Sequence, residues 1–138
     1  IAGRSYVDGG VASGTHADLV LAADRPLDLV IIIAPMAADE GRQRAYPFES
    51  LLDRVGRKAL ETELAQIGSA WPGTDVVVLR PRPAVLAAMR PNPMDPTRAV
   101  PTFVATLNSM KQRLASPEVW AILREHLGDG EDALRARN

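Results

Sequence analysis

Asp8-Gly9-Gly10 sets a carboxylate in front of two residues that leave the backbone almost unrestricted. The apolar pair Tyr6-Val7 leads into it, and a loop from Val11 to Asp18 comes after. A carboxylate held at such a turn can act as a general base, taking the proton of a hydroxyl within hydrogen-bond reach. Its plain alternative is a turn aspartate, because Asp-Gly is a common reverse-turn pair. Gly9 and Gly10 are the candidate substrate-binding residues, chiefly as the turn formers of the motif.

The other groups able to do chemistry are few. Ser13 and Thr15 read as helix caps, since no activating base stands at a defined spacing from either. The stretch Gly10-Val11-Ala12-Ser13-Gly14 is not a Gly-x-Ser-x-Gly nucleophile elbow, because its serine stands one place late. His16 reads as a loop or helix-start histidine. His126 falls in the last turn of a helix, where a positive imidazole suits the dipole. A complete small serine hydrolase using Asp8 with His16 or His126 would need an elbow serine, and none is present. Neither histidine stands in His-Glu-x-x-His, and there is no cysteine, so no metal site is expected. Met36, Tyr46 and Phe48 could meet an acyl chain, although such residues more often anchor a loop to a core. Arg42 and Arg44 could meet a phospholipid headgroup, although exposed loop arginines are common.

Elements must position these groups, and the apolar pattern predicts them. Arg4 to Val7 reads as a strand and Ala17 to Ala23 as a short helix ending before Pro26. Leu27 to Ile33 is β-branched and apolar on both faces, the pattern of a central parallel strand covered from two sides. Met36 to Pro47 reads as a mixed loop. From Phe48 to Ile67 the period is helical, with Leu52, Val55, Ala59, Leu64 and Ile67 near one face. Arg57 and Glu61 stand four apart and could pair, worth about 0.2–0.5 kcal/mol. Gly68 and Trp71-Pro72-Gly73 stop that helix, and Asp75 to Leu79 is a second buried-strand pattern. Strand, helix, strand in this order predicts a βαβ crossover and a parallel sheet.

Six of the eleven prolines fall between Arg80 and Pro101, which predicts an ordered irregular connection there. Two helices come next. Pro101 to Leu114 gathers Phe103, Val104, Leu107, Met110 and Leu114 on one side. The second opens at Ser116-Pro117-Glu118, with a hydroxyl cap and proline in the first turn, and carries Val119, Trp120, Leu123 and Leu127. Residues 1–128 therefore read as one domain and 129–138 as a polar tail.

At 138 residues, 46% hydrophobic and 24% charged, the chain has the size and composition of one globular domain. A net charge of −1 gives no electrostatic reason to expect nucleic acid as a partner. Lys58 and Lys111 are the only lysines, a bias towards arginine associated with GC-rich bacterial coding. No signal peptide or membrane-length apolar run is present, which makes the cytoplasm the expected compartment. The chain opens on Ile1, and a longer parent polypeptide is expected.

Together with the residues on either side, Asp8-Gly9-Gly10 resembles the Asp-Gly-Gly element of bacterial patatin-like phospholipases. A strand precedes the motif, and a helix leads to the apolar strand Leu29–Ile33 and to Ala34-Pro35-Met36. Asp75–Leu79, Pro91-Asn92-Pro93-Met94-Asp95 and two closing helices then look like the end of such a domain. The resemblance covers roughly Arg4 to Leu127 and is sharpest in the first twenty residues. It implies the C-terminal portion of a three-layer α/β/α domain with a mostly parallel sheet. It also implies a lipid acyl hydrolase, of phospholipase or esterase type, working with a Ser–Asp dyad. Asp8 would be the catalytic aspartate, activating a serine for attack on an ester carbonyl. The serine elbow and the oxyanion loop would lie in the missing N-terminal part of the same domain, so this chain alone would be inactive. Asp8-Gly9-Gly10 could itself be an oxyanion loop, but the further glycine and the elbow that reading requires are lacking. The chain departs from the family at His16, where asparagine is frequent. No cofactor is implied. The implied partners are a lipid or small ester substrate and, transiently, a membrane surface. The competing expectation is a non-catalytic α/β module that binds a partner.

Overall fold

The computed structural model describes residues 3–38, 47–92 and 94–128, and within 47–53 the backbone alone. Arg42, Arg44, Tyr46, the side chain of Phe48 and the polar tail 129–138 thus lie outside the described residues.

Strand β1 (Leu29–Ile33), helix α1 (Pro47–Ala70) and strand β2 (Asp75–Leu79) form the centre. The strands pair in parallel and in simple register, Leu29 with Asp75 through Ile33 with Leu79. The fold is a mixed α/β one, and the expected βαβ order is present. Two further bonds hold the strand ends together: Thr74 Oγ1 donates to the Leu27 carbonyl at 2.7 Å, and the Ala34 amide donates to the Leu79 carbonyl at 2.9 Å.

Packing on the sheet follows from its alternation. Val30 and Ile32 are buried with Leu60 and Ile67 of α1 and with Ala17, and Val76 and Val78 lie against the same cluster. The buried stripe of α1 runs through Leu60, Glu63 and Ile67, not through Val55, which is 57% exposed. Helical spacing at three and four residues gives both stripes; what selects the observed one is the close approach at Gly56. A Cβ there would lie 2.8 Å from the Met36 carbonyl oxygen, so only glycine lets α1 lie flat against this turn. The expected Arg57–Glu61 pair is not among the described contacts; the Arg57 Nε is instead buried without a partner.

Three expectations are corrected. Arg4 to Val7 is not a strand: among the described residues the only sheet is β1–β2, and Tyr6 and Val7 stand 67% and 83% exposed. An apolar stretch becomes a strand only when a neighbour accepts its backbone bonds, and none of the described residues does so here. Nor is β1 covered on both faces, because Ile31 and Ile33 are 47% and 70% exposed. The same face of β2 is better protected, with Val77 buried and α4 (Pro117–Leu127) alongside. Third, the proline-rich connection holds a helix, α2 (Pro83–Ala88), which uses Pro83 in its first turn, where a missing N–H costs nothing.

Helices α3 (Ala99–Leu114) and α4 form close to where their patterns place them. The Ser116 hydroxyl does not cap α4, however; it donates back to the Arg113 carbonyl at 2.9 Å. The apolar side of α3 is not a core face either, since Phe103, Val104 and Leu107 are exposed and only Ser109 of α3 is buried. On α4, Val119 is buried while Trp120 and Leu127 stay exposed. His126 ties α4 to the sheet through a 2.7 Å bond between its Nε2 and Asp75 Oδ2. No described helix is long and apolar enough to cross a membrane.

Candidate functional site

The loop carrying Asp8 is built from local hydrogen bonds. Asp8 has extended backbone angles, and its Oδ1 accepts from the Gly10 amide at 2.7 Å, capping a single 3-10 turn over Gly9–Val11. That bond draws the carboxylate so close that a Cβ on Gly10 would meet Oδ1 at 3.0 Å, tighter than most side chains accept. A side chain at Gly10 would push the Asp8 carboxylate from its present position, and Gly9 and Gly10 both lie in the turn. Downstream, Ser13 Oγ accepts from the amides of Thr15 and His16, both at 3.1 Å, which closes a second turn. His16 then takes a left-handed backbone, φ 52°, and its Nε2 reaches back to the Gly9 carbonyl at 2.8 Å. A carbonyl only accepts, so Nε2 carries the proton.

Glu63 anchors this loop to α1. Its side chain is buried, and its Oε2 accepts from the Ala17 amide at 3.0 Å, at the start of a 3-10 helix over Ala17–Ala22. This bond supplies one of the amides that a helix start leaves without an internal partner. By type alone Glu63 is one of many acidic helix residues. Its position three after Leu60 and four before Ile67 is the sequence signal that sets it apart.

Between the loop and α1 lies an open cleft of about 470 Å³, lined among others by Ser13, His16, Lys58 and Glu63. Asp8 does not line it. Asp8 sits on the exposed side of the same loop, with no described ion pair, and its Oδ1 is the carboxylate oxygen that takes the Gly10 amide. The structure therefore brings Ser13 and His16 together with α1 and leaves Asp8 outside. Ser13 and His16 do not form a hydroxyl–imidazole pair: the described contact between them is from the His16 amide, and the ring bonds Gly9. His126 is far along the chain, engaged with Asp75. Among the described residues no three His, Cys, Asp or Glu side chains gather closely enough to hold a metal ion.

A second group of polar residues lies on the α2–α3 side. Arg82, just before α2, donates from Nη1 to the Gln112 Oε1 of α3. The Ser109 hydroxyl nearby is buried with no partner. Asp95 caps a 3-10 turn over Pro96–Arg98 in the same manner as Asp8 caps its own, but accepts from both the amide and the hydroxyl of Thr97, at 2.9 and 2.7 Å. Those two bonds, with help from the Arg98 charge, hold the Asp95 carboxyl below its ordinary value.

No family model, no curated protein and no solved structure matches this chain.

Proposed function

We propose that this chain carries the aspartate half of a patatin-like serine acyl hydrolase, with Asp8 as the base of a Ser–Asp dyad. The observation that carries the reading is the state of the Asp8 carboxylate. It is exposed and outside any described salt link, and its Oδ1 is oriented by the Gly10 amide. A base that must receive a proton has to keep an accessible lone pair while its direction is fixed, and one amide bond does this. The serine would come from polypeptide preceding Ile1. Asp8 would take the proton of its hydroxyl as the oxygen attacks an ester carbonyl; the acyl-enzyme so formed would be released by water.

The open sheet is in keeping with a larger parent domain. Parallel sheets are normally covered on both faces, and a pair of strands is marginal alone. Ile31 and Ile33 are exposed on one face of β1, where a helix layer would complete a three-layer α/β/α arrangement, with further strands pairing at the sheet edges. The substrate class is a lipid or small ester.

The test is Asp8→Asn in the full-length polypeptide. The amide keeps an acceptor for Gly10, so the turn survives while the base is lost. Ester turnover should fall by about 10²-fold or more, the usual contribution of a positioned base. Turnover within twofold of wild type would remove Asp8 from the mechanism. The 138-residue chain alone should leave a short p-nitrophenyl ester untouched.

A second reading, a non-catalytic α/β module that binds a partner, draws on the absence of a strand before Asp8 among the described residues and on the exposed side of α3. The coding sequence upstream of Ile1 discriminates: a Gly-x-Ser-x-Gly elbow there supports the hydrolase, and its absence supports the module.

A further inference from the structure

Two recesses meet on the α2–α3 side of the molecule, on elements remote in sequence from Asp8. The first is a cleft of about 500 Å³ between α2 and α3, walled by Ala84, Val100, Pro101 and Val104. The second is a recess of about 150 Å³ lined by Arg80, Arg82, Gln112, Arg113 and Ser116. Arg82 and Gln112 belong to both, so the apolar cleft opens directly onto a group of three arginines. Among the described residues no acidic side chain lines either one.

This juxtaposition has a definite chemistry. Guanidinium groups present a planar fork of donors that matches a carboxylate or phosphate, and the two of Arg82 and Arg113 at one recess favour an anion. The described partner of the Arg82 side chain is the neutral Gln112, which orients the guanidinium without cancelling its charge. The cleft beside it suits hydrocarbon, and its size falls in the range of pockets that take small molecules.

We infer that the α2–α3 cleft and the recess at Arg82 and Arg113 together form a binding site for a single-chain anionic amphiphile, with a fatty-acid anion as its ligand. The carboxylate lies among the arginines and the alkyl chain runs along Val104 and Val100. The site shares no residue with the Asp8 loop and does not depend on the hydrolase reading.

The experiment is calorimetric titration of the 138-residue chain with dodecanoate below its micelle concentration. Dodecyltrimethylammonium and dodecanol report the need for a negative head, acetate the need for a chain, and dodecyl phosphate the choice of anion. Saturable one-to-one binding of dodecanoate is expected, with the alcohol and the cation at least about tenfold weaker, since a charge-assisted contact is worth about that much, and acetate at least about tenfold weaker for want of apolar area to bury. The double variant Arg82→Gln/Arg113→Gln should weaken dodecanoate by about 10–100-fold and leave the alcohol unchanged. Val104→Asp should weaken both, while Arg124→Gln, on α4 and outside both recesses, should weaken neither. Circular dichroism checks that each variant folds; the head-group comparison on the unmodified chain stands whether or not they do. Equal binding of dodecanoate, dodecanol and the cation would overturn the proposal. So would tighter binding of dodecyl phosphate, wild-type affinity in the double variant, or association with phosphatidylglycerol vesicles without binding of monomeric dodecanoate.

Discussion

The β1–α1–β2 unit and helix α3 of this chain use apolar residues in opposite ways. In the first, Val30, Ile32, Leu60 and Ile67 are nearly inaccessible and touch one another. In the second, Val100, Phe103, Val104 and Leu107 repeat at spacings of three and four, yet all are 45% exposed or more. The helical pattern is equally good in both. What differs is whether something faces it, so amphipathicity forms the helix in either case but stabilises only the one that has a partner surface.

Removing a side chain from each breaks or sharpens that contrast most strongly. Leu60→Ala leaves a hole among Val30, Ile32 and Ile67 and should cost about 2–5 kcal/mol. Leu107→Ala, the equivalent truncation on the open side, should stay within about 0.5 kcal/mol. Urea midpoints of the two variants measure the difference directly. Similar losses would mean that the α3 face is covered in solution and that the two do not differ.

Gly56 gives a smaller effect with a diagnostic sign. Replacing a mid-helix glycine by alanine ordinarily gains up to about 1 kcal/mol. At Gly56 the new Cβ would lie 2.8 Å from the Met36 carbonyl oxygen, a backbone atom that cannot swing away. Gly56→Ala should therefore destabilise, by about 1–3 kcal/mol as for other overpacked positions. Gly68→Ala, in the same helix with open space around its Cβ position, should stabilise. Thermal midpoints of the pair test whether α1 lies as close to the Met36 turn as the β1–α1–β2 packing requires.

How much of this was legible in the sequence follows the same division. β1 and β2 are short runs of β-branched residues bounded by turn formers, and α1 has a helical period that ends before Trp71-Pro72-Gly73, so local chemistry sufficed there; Gly68, expected to stop α1, instead lies inside it. Arg4–Val7 has an apolar pair of its own but needs a neighbour to become a strand, and pattern alone carries no information about neighbours. The exposure of Ile31, Ile33 and Phe103 was hidden for the same reason. At the candidate site, the role of Gly9 and Gly10 in a tight turn could be read from their type. The anchoring of the loop by Glu63 could not, because it joins residues 46 apart in sequence. Nor could the meeting of Arg80 and Arg82 with Arg113, which depends on how α3 returns past the start of α2.

The least costly comparison sets the two aspartate-capped turns against each other. Asp95 and Asp8 both accept a backbone amide two residues on, but Asp95 also receives the Thr97 hydroxyl and feels Arg98. Its carboxyl is held below the ordinary 3.8, so ionised Asp95 favours the folded chain. A group with a depressed folded-state value contributes fully above its unfolded value and loses that contribution as the pH falls through the depressed one. Asp95→Asn keeps an acceptor but removes the charge. It should lower the urea midpoint slightly at pH 7, and the deficit should shrink as the pH drops below about 4, where the wild-type carboxyl also becomes neutral. A deficit equal at both ends of that range would mean that the charge of Asp95 plays no part in its turn. Among the described contacts, the same substitution at Asp8 removes no hydroxyl bond, so its effect on stability should be smaller still. A large loss of turnover with so little loss of stability would separate a working base from a helix cap.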